Sequence, residues 1–439
     1  MRPYLRVLRH TNFRYLFLGQ AASEVGDQVI IVALALFITQ RTGSATDLGL
    51  VLAAQSLTLV GLLLFGGVWA DRLPRHRIMI ATDLVRFVLH ALVAALIFTN
   101  AVSVWQLVAI EAVFGAAKAF FQPAYTGLIP QTVPEELIQD AKALTESTAN
   151  LAILIGPALG TALVLGVGAG EAFSFDAATF LFGALMFIRI RPRPRGEAAP
   201  ARTTVLNDLR GGWREVRSRT WVWVTIAVFT GSVLAVYAQW YALAPVIARD
   251  HYGGAGVFGL LESVGGAGAL VGALVAIVWR PSRPLLAGML LVLIWPVQDG
   301  LFALGAPLPL VTALAFGTGF GFSLLMIWWE TALARHIPPR ALSRVSAWDW
   351  MGSLALLPLG FALAGPLARA FGPRTVLGVG SAIGIGMLAL GLLSRSVRRL
   401  GGASVEQFPG EIEIEARRES EIAHVDSLVG AVHEWRRLE

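Results

Sequence analysis

Apolar residues fall in twelve long runs, at roughly 14–39, 47–70, 78–99, 103–128, 141–167, 172–190, 221–248, 255–279, 284–304, 308–333, 342–368 and 375–394. Each run is close to the about 20 residues that a helix needs to cross a bilayer. None alternates apolar and polar positions as a barrel strand would. A lipid-exposed backbone must satisfy its own hydrogen bonds, so each run predicts a transmembrane helix. A polar stretch near 191–219, rich in Arg, Pro and Gly, divides the runs six and six. The pattern predicts an all-α membrane protein with twelve transmembrane helices in two pseudo-symmetric six-helix bundles. The bundles would be residues 1–190 and 221–395, with a linker at 191–220 and a tail at 396–439.

The tail differs in character. Residues 405–416 alternate apolar and acidic positions, a strand pattern, and Ile422, Val425, Leu428, Val429, Val432, Trp435 and Leu438 fall at helical spacing. They fit a small appendage or an amphipathic helix on the membrane face. Two faint echoes relate the halves: Gly49 to Trp69 against Gly259 to Trp279, and Val133-Pro134 with Lys142-Ala143 against Ile337-Pro338 with Ser346-Ala347.

Composition supports the same class. The 439 residues are 56% hydrophobic and 15% charged, with mean hydropathy +0.66; a soluble domain carries about 25% charged residues. There is no cysteine, hence no disulfide framework or thiolate chemistry. Lys118 and Lys142 are the only lysines, so the net charge of +6 rests on arginine. By the positive-inside rule, the N-terminus, the linker and the tail would be cytoplasmic. Only Arg41, Arg249, Arg369 and Arg374 would face the other side. Arg2, Arg6, Arg9 and Arg14 precede a full-length run without a cleavage pattern, which predicts a retained first helix. The expected location is the cell inner membrane, multi-pass, with both termini cytoplasmic. The basic surface suits anionic lipid rather than nucleic acid.

The strongest motif lies between the second and third runs: Gly67-Val68-Trp69-Ala70-Asp71-Arg72-Leu73-Pro74-Arg75-His76-Arg77. Its Gly-x-x-x-Asp-Arg-x-x-Arg-x-Arg spacing resembles the loop signature of the major facilitator superfamily of secondary transporters. Trp69 and Pro74 stand where that signature usually has Leu and Gly. The resemblance implies a cytoplasmic gate from Gly67, Asp71, Arg72 and Arg75, joined by Asp83 and Arg86 at the start of the third run. Asp71 would accept from helix N-termini and the arginines would pair with acids on neighbouring helices.

Further phrases resemble the exporter branch that includes enterobactin-exporter-like and macrolide-efflux-like proteins. They are Asn12-Phe13-Arg14, Ser23-x-x-Gly26-Asp27, Phe120-Phe121-x-Pro123-Ala124 and Arg344-Val345-Ser346-x-x-Asp349. In the fifth run, Ala152-x3-Gly156-Pro157-Ala158-Leu159-Gly160-Thr161 resembles the Gly-Pro motif of drug–proton antiporters, with Ala152 and Thr161 where glycines are usual. Small residues four apart let another helix approach closely, and Pro157 frees a carbonyl and bends the helix.

Ionisable residues inside apolar runs are costly, by about 2.5–3.5 kcal/mol each on insertion scales, so each is a functional candidate. Asp27 lies near the middle of the first run, with Glu111, Glu146 and Asp349 as further candidates for proton coupling. Glu262 and Asp299 also fall within runs, and Glu330 near a helix end. Lys118, seven residues from Glu111, lies on the same helical face about 10.5 Å away along the axis. It is better placed to pair with an acid on another helix, such as Asp27 or Glu146. Lys118, Phe121, Trp240 and Trp328 are candidates to line a substrate cavity, against interfacial or lipid packing for the aromatics. No phosphate-binding loop or zinc spacing occurs, so neither ATP hydrolysis, an enzymatic activity nor a cofactor is expected.

The expected function is secondary active transport, with proton-coupled efflux of a lipophilic or amphipathic small molecule by alternating access. The alternatives are a symporter or importer of the same fold and a non-transporting membrane sensor. Expected partners are the small-molecule substrate, protons and the lipid bilayer, with the chain acting as a monomer.

Overall fold

A computed structural model describes residues 4–193 and 205–401. The tail patterns read at 405–416 and 422–438 lie outside the described residues. So does the side chain of Asp71.

The twelve predicted helices form close to their expected bounds. They are α1 Thr11–Thr42, α2 Ala45–Arg72, α3 Arg75–Phe98, α4 Val104–Leu128, α5 Ile138–Gly166 and α6 Ala169–Phe187. After a linker helix, Val205–Ser218, come α7 Thr220–His251, α8 Gly256–Val278, α9 Pro284–Leu304, α10 Leu308–His336, α11 and α12 Pro373–Leu393. Helix α11 runs in two pieces, Pro339–Leu354 and Leu357–Phe371. The break precedes Pro358, whose ring and missing N–H interrupt a helix. Eleven of the twelve are long and apolar enough to cross a membrane by that measure alone. The other, α6, is 19 residues long and carries Glu171 and Asp176. It packs lengthwise against α1 and α3, which buries Asp176 fully, while Glu171 in its first turn is exposed. Large apolar side chains such as Trp105, Val278 and Leu304 are strongly exposed, as a lipid-facing surface requires.

The core is divided unevenly. At the end away from the basic turn, one apolar cluster draws on both bundles: Val29 to Ile38 of α1, Leu48 and Val51 of α2, Leu243 to Ala248 of α7, Phe258 of α8 and Phe361 of α11. At the basic end the two bundles have separate clusters. One includes Phe13, Met79, Tyr125 and Phe187, the other Trp221, Leu285, Trp329 and Val345. The most extensive joining contacts are α2 with α11 and α5 with α8, with α7 also touching α1 and α2. They run through small residues: a Cβ on Gly49 would lie 2.6 Å from the Phe361 carbonyl, and one on Gly266 2.8 Å from Leu154 Cα. The halves therefore meet at one end and part toward the basic end.

A polar bridge reinforces the closed end. Arg249 of α7 donates to the Thr39 carbonyl at 3.0 Å. It meets the C-terminal turn of α1, where the negative end of the helix dipole favours a cation. Gly43 caps that helix at φ 67°. A side chain there would collide with the Arg249 guanidinium, so glycine serves both the left-handed cap and the approach.

Candidate functional site

The ionisable residues of the N-terminal bundle converge at mid-depth. Asp27 stands halfway along α1, its side chain 15% exposed; its Oδ2 lies 3.3 Å from Lys118 Nζ of α4 and 3.9 Å from Arg86 Nη1 of α3. Arg86 is 1% exposed and pairs also with the buried Asp83 one turn before it. Its guanidinium lies over the rings of Phe121 at 4.1 Å and Phe180 at 4.3 Å, a cation–π setting that helps hold a desolvated charge. Asp83 and Arg86 thus lie inside the bundle, with Asp27 as a partner. Lys118 is 35% exposed, so the Asp27–Lys118 pair forms the wet edge of a dry network.

A second group sits deeper. His90 of α3 is fully buried between two acids: Nδ1 pairs with Asp176 of α6, and Nε2 is 3.4 Å from Glu111 Oε1 of α4. Its ring stacks on Phe114 at 4.3 Å and meets the edges of Phe173 and Phe180. Gln55 donates to Glu111 at 2.9 Å. The groups adjoin because α1 and α6 touch through small residues. A Cβ on Gly26, next to Asp27, would strike Asp176 and Thr179, and one on Gly183 would lie 2.6 Å from Asp83.

Charge counting bears on protons. Asp27, Asp83, Glu111 and Asp176 face two permanent cations, Arg86 and Lys118, plus His90. Glu24, one turn before Asp27 and bonded to Gln20, adds a fifth acid, so even with His90 charged the acids outnumber the cations. Burying an uncompensated charge is expensive, and the group neutralises instead. The network has room for an exchangeable proton.

The Gly-Pro motif of α5 lies against α1 beside this network. A Cβ on Gly160 would sit 2.5 Å from the Val29 carbonyl, and one on Gly156 would strike Gln28. Gly156, Pro157 and Gly160 are buried. In the basic turn, Arg75 donates to the Gly127 carbonyl near the end of α4, while Arg72 is exposed and Gly67 faces open space.

The remaining candidates fall in three settings. Glu146 of α5 is exposed, and its charge acts on exposed Glu330 of α10, which also senses Asp349 of α11. These acids come from both halves and lie toward the parted end. Asp349 is half-buried and accepts from Trp329 Nε1 at 2.8 Å. Phe121, Trp240 and Trp328 are buried, at 2%, 4% and 5% exposure. Phe121 lies under Arg86, Trp240 donates to Glu262 at 2.7 Å, and Trp328 meets Trp279 edge-on at 5.1 Å.

Sequence reasoning did not single out His90 and Asp176, although a signal existed: each is an isolated ionisable residue inside an apolar run. No group of His, Asp and Glu among the described residues is arranged to hold a metal.

Two six-helix bundles joined at one end, with an ionisable cluster reaching the parting between them, define a secondary transporter of the major facilitator superfamily. Residues 4–283 match the transmembrane secretion effector family, and the chain belongs to that family. It is 28% identical over 393 residues to the multidrug efflux pump Tap of Mycolicibacterium fortuitum, covering 85% of this chain and 93% of Tap. It is 24% identical over 268 residues to macrolide efflux protein A of Streptococcus pyogenes, covering 60% and 65%. Among solved structures, a point mutant of the nucleoside transporter NupG superposes with TM-score 0.71 at 11% identity, over 87% of this chain and 99% of NupG. A bacterial homologue of the lysosomal transporter Spinster gives 0.65 at 16% identity, over 91% and 98%. Similarity at this level establishes the fold.

Proposed function

We propose that this chain is a proton-coupled efflux pump of the inner membrane, exchanging protons for a lipophilic or amphipathic small molecule. Efflux rests on similarity to the two efflux proteins. Orientation rests on the basic turn and the arginine-rich linker, which the positive-inside rule assigns to the cytoplasm. With that orientation the halves part inward, and the molecule is poised to load from the cytoplasm or inner leaflet. Both termini are then cytoplasmic, and residues 191–220 link the bundles 1–190 and 221–395.

The observation that carries proton coupling is Asp27. It is the carboxyl at the exposed edge of the buried network, held by Lys118 and Arg86. A proton arriving there neutralises Asp27 and frees Lys118, and its departure restores the pair. Each protonation state thus favours a different arrangement of α1, α3 and α4, and a ligand that binds one arrangement better shifts the balance. The acids Glu146, Glu330 and Asp349 toward the parted end favour a cationic or weakly basic substrate. In everted vesicles with an acid interior, the protein should accumulate members of a panel of lipophilic cations and basic antibiotics, and collapsing the gradient should release them. Accumulation driven by the opposite gradient and not by an acid interior would indicate a symporter and overturn the reading.

A further inference from the structure

We propose that the C-terminal bundle holds a second proton-binding site, formed by Glu262 of α8 and Asp299 of α9. It goes beyond the N-terminal network and does not require Asp27 to be the coupling acid.

Asp299 is 0% exposed, and both carboxyl oxygens lack any hydrogen-bond partner among the described residues. Glu262 is half-buried and accepts from Trp240 Nε1 and from Tyr241 Oη, each at 2.7 Å. The two acids converge on Trp240, whose ring meets Phe302, three residues after Asp299, at 5.3 Å, and Phe258, four before Glu262, at 6.1 Å. They are close enough for the charge of Glu262 to act on Asp299. The other polar groups facing them are hydroxyls, amides and the indole. The Tyr237 ring lies tilted against that of Tyr241 at 4.6 Å, and neighbouring Gln298 accepts from Thr318 at 2.6 Å. No arginine, lysine or histidine among the described residues forms an ion pair with either acid.

Two acids without a base cannot both stay ionised in a dry interior. The donors are distributed unequally. Glu262 has two, which suit a carboxylate; Asp299 has none, which suits a neutral carboxyl. The geometry also disfavours a metal ion, because the N–H and O–H aimed at Glu262 present hydrogens where a metal would need lone pairs. The proton therefore rests on Asp299, and Glu262 is the half-buried group through which it exchanges.

The position gives the site a purpose. Helix α7 makes a π turn at Val233–Tyr237, a feature that often marks functional positions, and it ends at the tyrosine facing this site. Glu262 lies on α8 between Gly259 and Gly266, which abut Thr161 and Leu154 of α5. On its other side α5 abuts Gln28 and Val29, the residues after Asp27. One helix thus lies between the two proton sites, at the joint of the halves.

The test is infrared difference spectroscopy of the full chain in lipid, stepping the pH and reading the C=O stretch of neutral carboxyl groups. Asp299→Asn and Glu262→Gln should each remove one component of the pH-dependent signal that Asp27→Asn retains. Sodium, potassium or magnesium at fixed pH should leave that signal unchanged. Wild-type spectra from both variants would overturn the proposal, as would a metal ion that converts the signal to carboxylate at fixed pH. Gel filtration checks folding; should Asp299→Asn fail it, Glu262→Gln alone decides, since the pair titrates together. Loss of proton-driven transport in Asp27→Asn with this carboxyl component intact would separate this site from the N-terminal reading.

Discussion

Removing the Arg249 bridge should unlock the closed end of the transporter. The bridge is a charge-assisted hydrogen bond from α7 to the Thr39 carbonyl at the C-terminal turn of α1, across the two halves. Bonds to charged groups contribute about 1.5–3 kcal/mol. The Arg249 side chain is 35% exposed, so solvent screening favours the lower end, about 1.5 kcal/mol. Each 1.4 kcal/mol is about tenfold in an equilibrium. Arg249→Gln should therefore raise the ratio of opened to closed molecules at this end by about tenfold, while the shared apolar core keeps the closed form dominant. The chain has no cysteine, so one engineered thiol reports cleanly. Leu48→Cys places it at a fully buried position in the shared core, reachable by a membrane-impermeant maleimide only after opening. The labelling rate follows the opened population. Labelling should be about tenfold faster with Arg249→Gln; equal rates within about twofold would refute the view that this bridge holds the end shut.

Two further outcomes follow from the packing. Gly160→Val places a branched side chain against the Val29 carbonyl, where even a Cβ would lie at 2.5 Å. Overpacking of this kind costs about 1–3 kcal/mol, so thermal unfolding in detergent should fall by several degrees and transport should be lost; a neutral result would mean that α1 and α5 are not tightly apposed. His90→Ala leaves Asp176 and Glu111 buried without their shared partner, a loss of about 3–5 kcal/mol for a broken buried pair. Thermal stability should drop sharply and recover in part with Asp176→Asn, whereas no recovery would show that the ring packing on Phe114, not charge, is what His90 supplies.

The spans were legible because lipid imposes one rule on every segment: about 20 apolar residues in a helix. Even α6, with Glu171 and Asp176, could be placed from its run. The break in α11 was less visible, since Pro358 can open a helix as well as interrupt one. Of the site, the pairing of Lys118 with an acid on another helix could be anticipated because an intramembrane lysine needs one. His90 is one of seven histidines spread along the chain, and its partners lie on α4 and α6, so only tertiary packing joins them. Trp240 read as a cavity aromatic, while its position against Glu262 depends on the orientation of α7. The end at which the halves meet is likewise a property of the assembled bundles; the glycines at the joint, Gly49 and Gly266, resemble in sequence any others that permit close packing.

The central claim is that Asp27 carries the coupling proton. The most direct measurement compares wild type with Asp27→Asn in everted vesicles, using a compound that wild type accumulates. One arm imposes an acid interior; the other follows exchange of labelled for unlabelled compound with no gradient. The account predicts that Asp27→Asn abolishes gradient-driven accumulation while exchange continues, because binding and alternation remain and only the proton step is gone. Equal gradient-driven accumulation in the two proteins would contradict it and remove Asp27 from the coupling step.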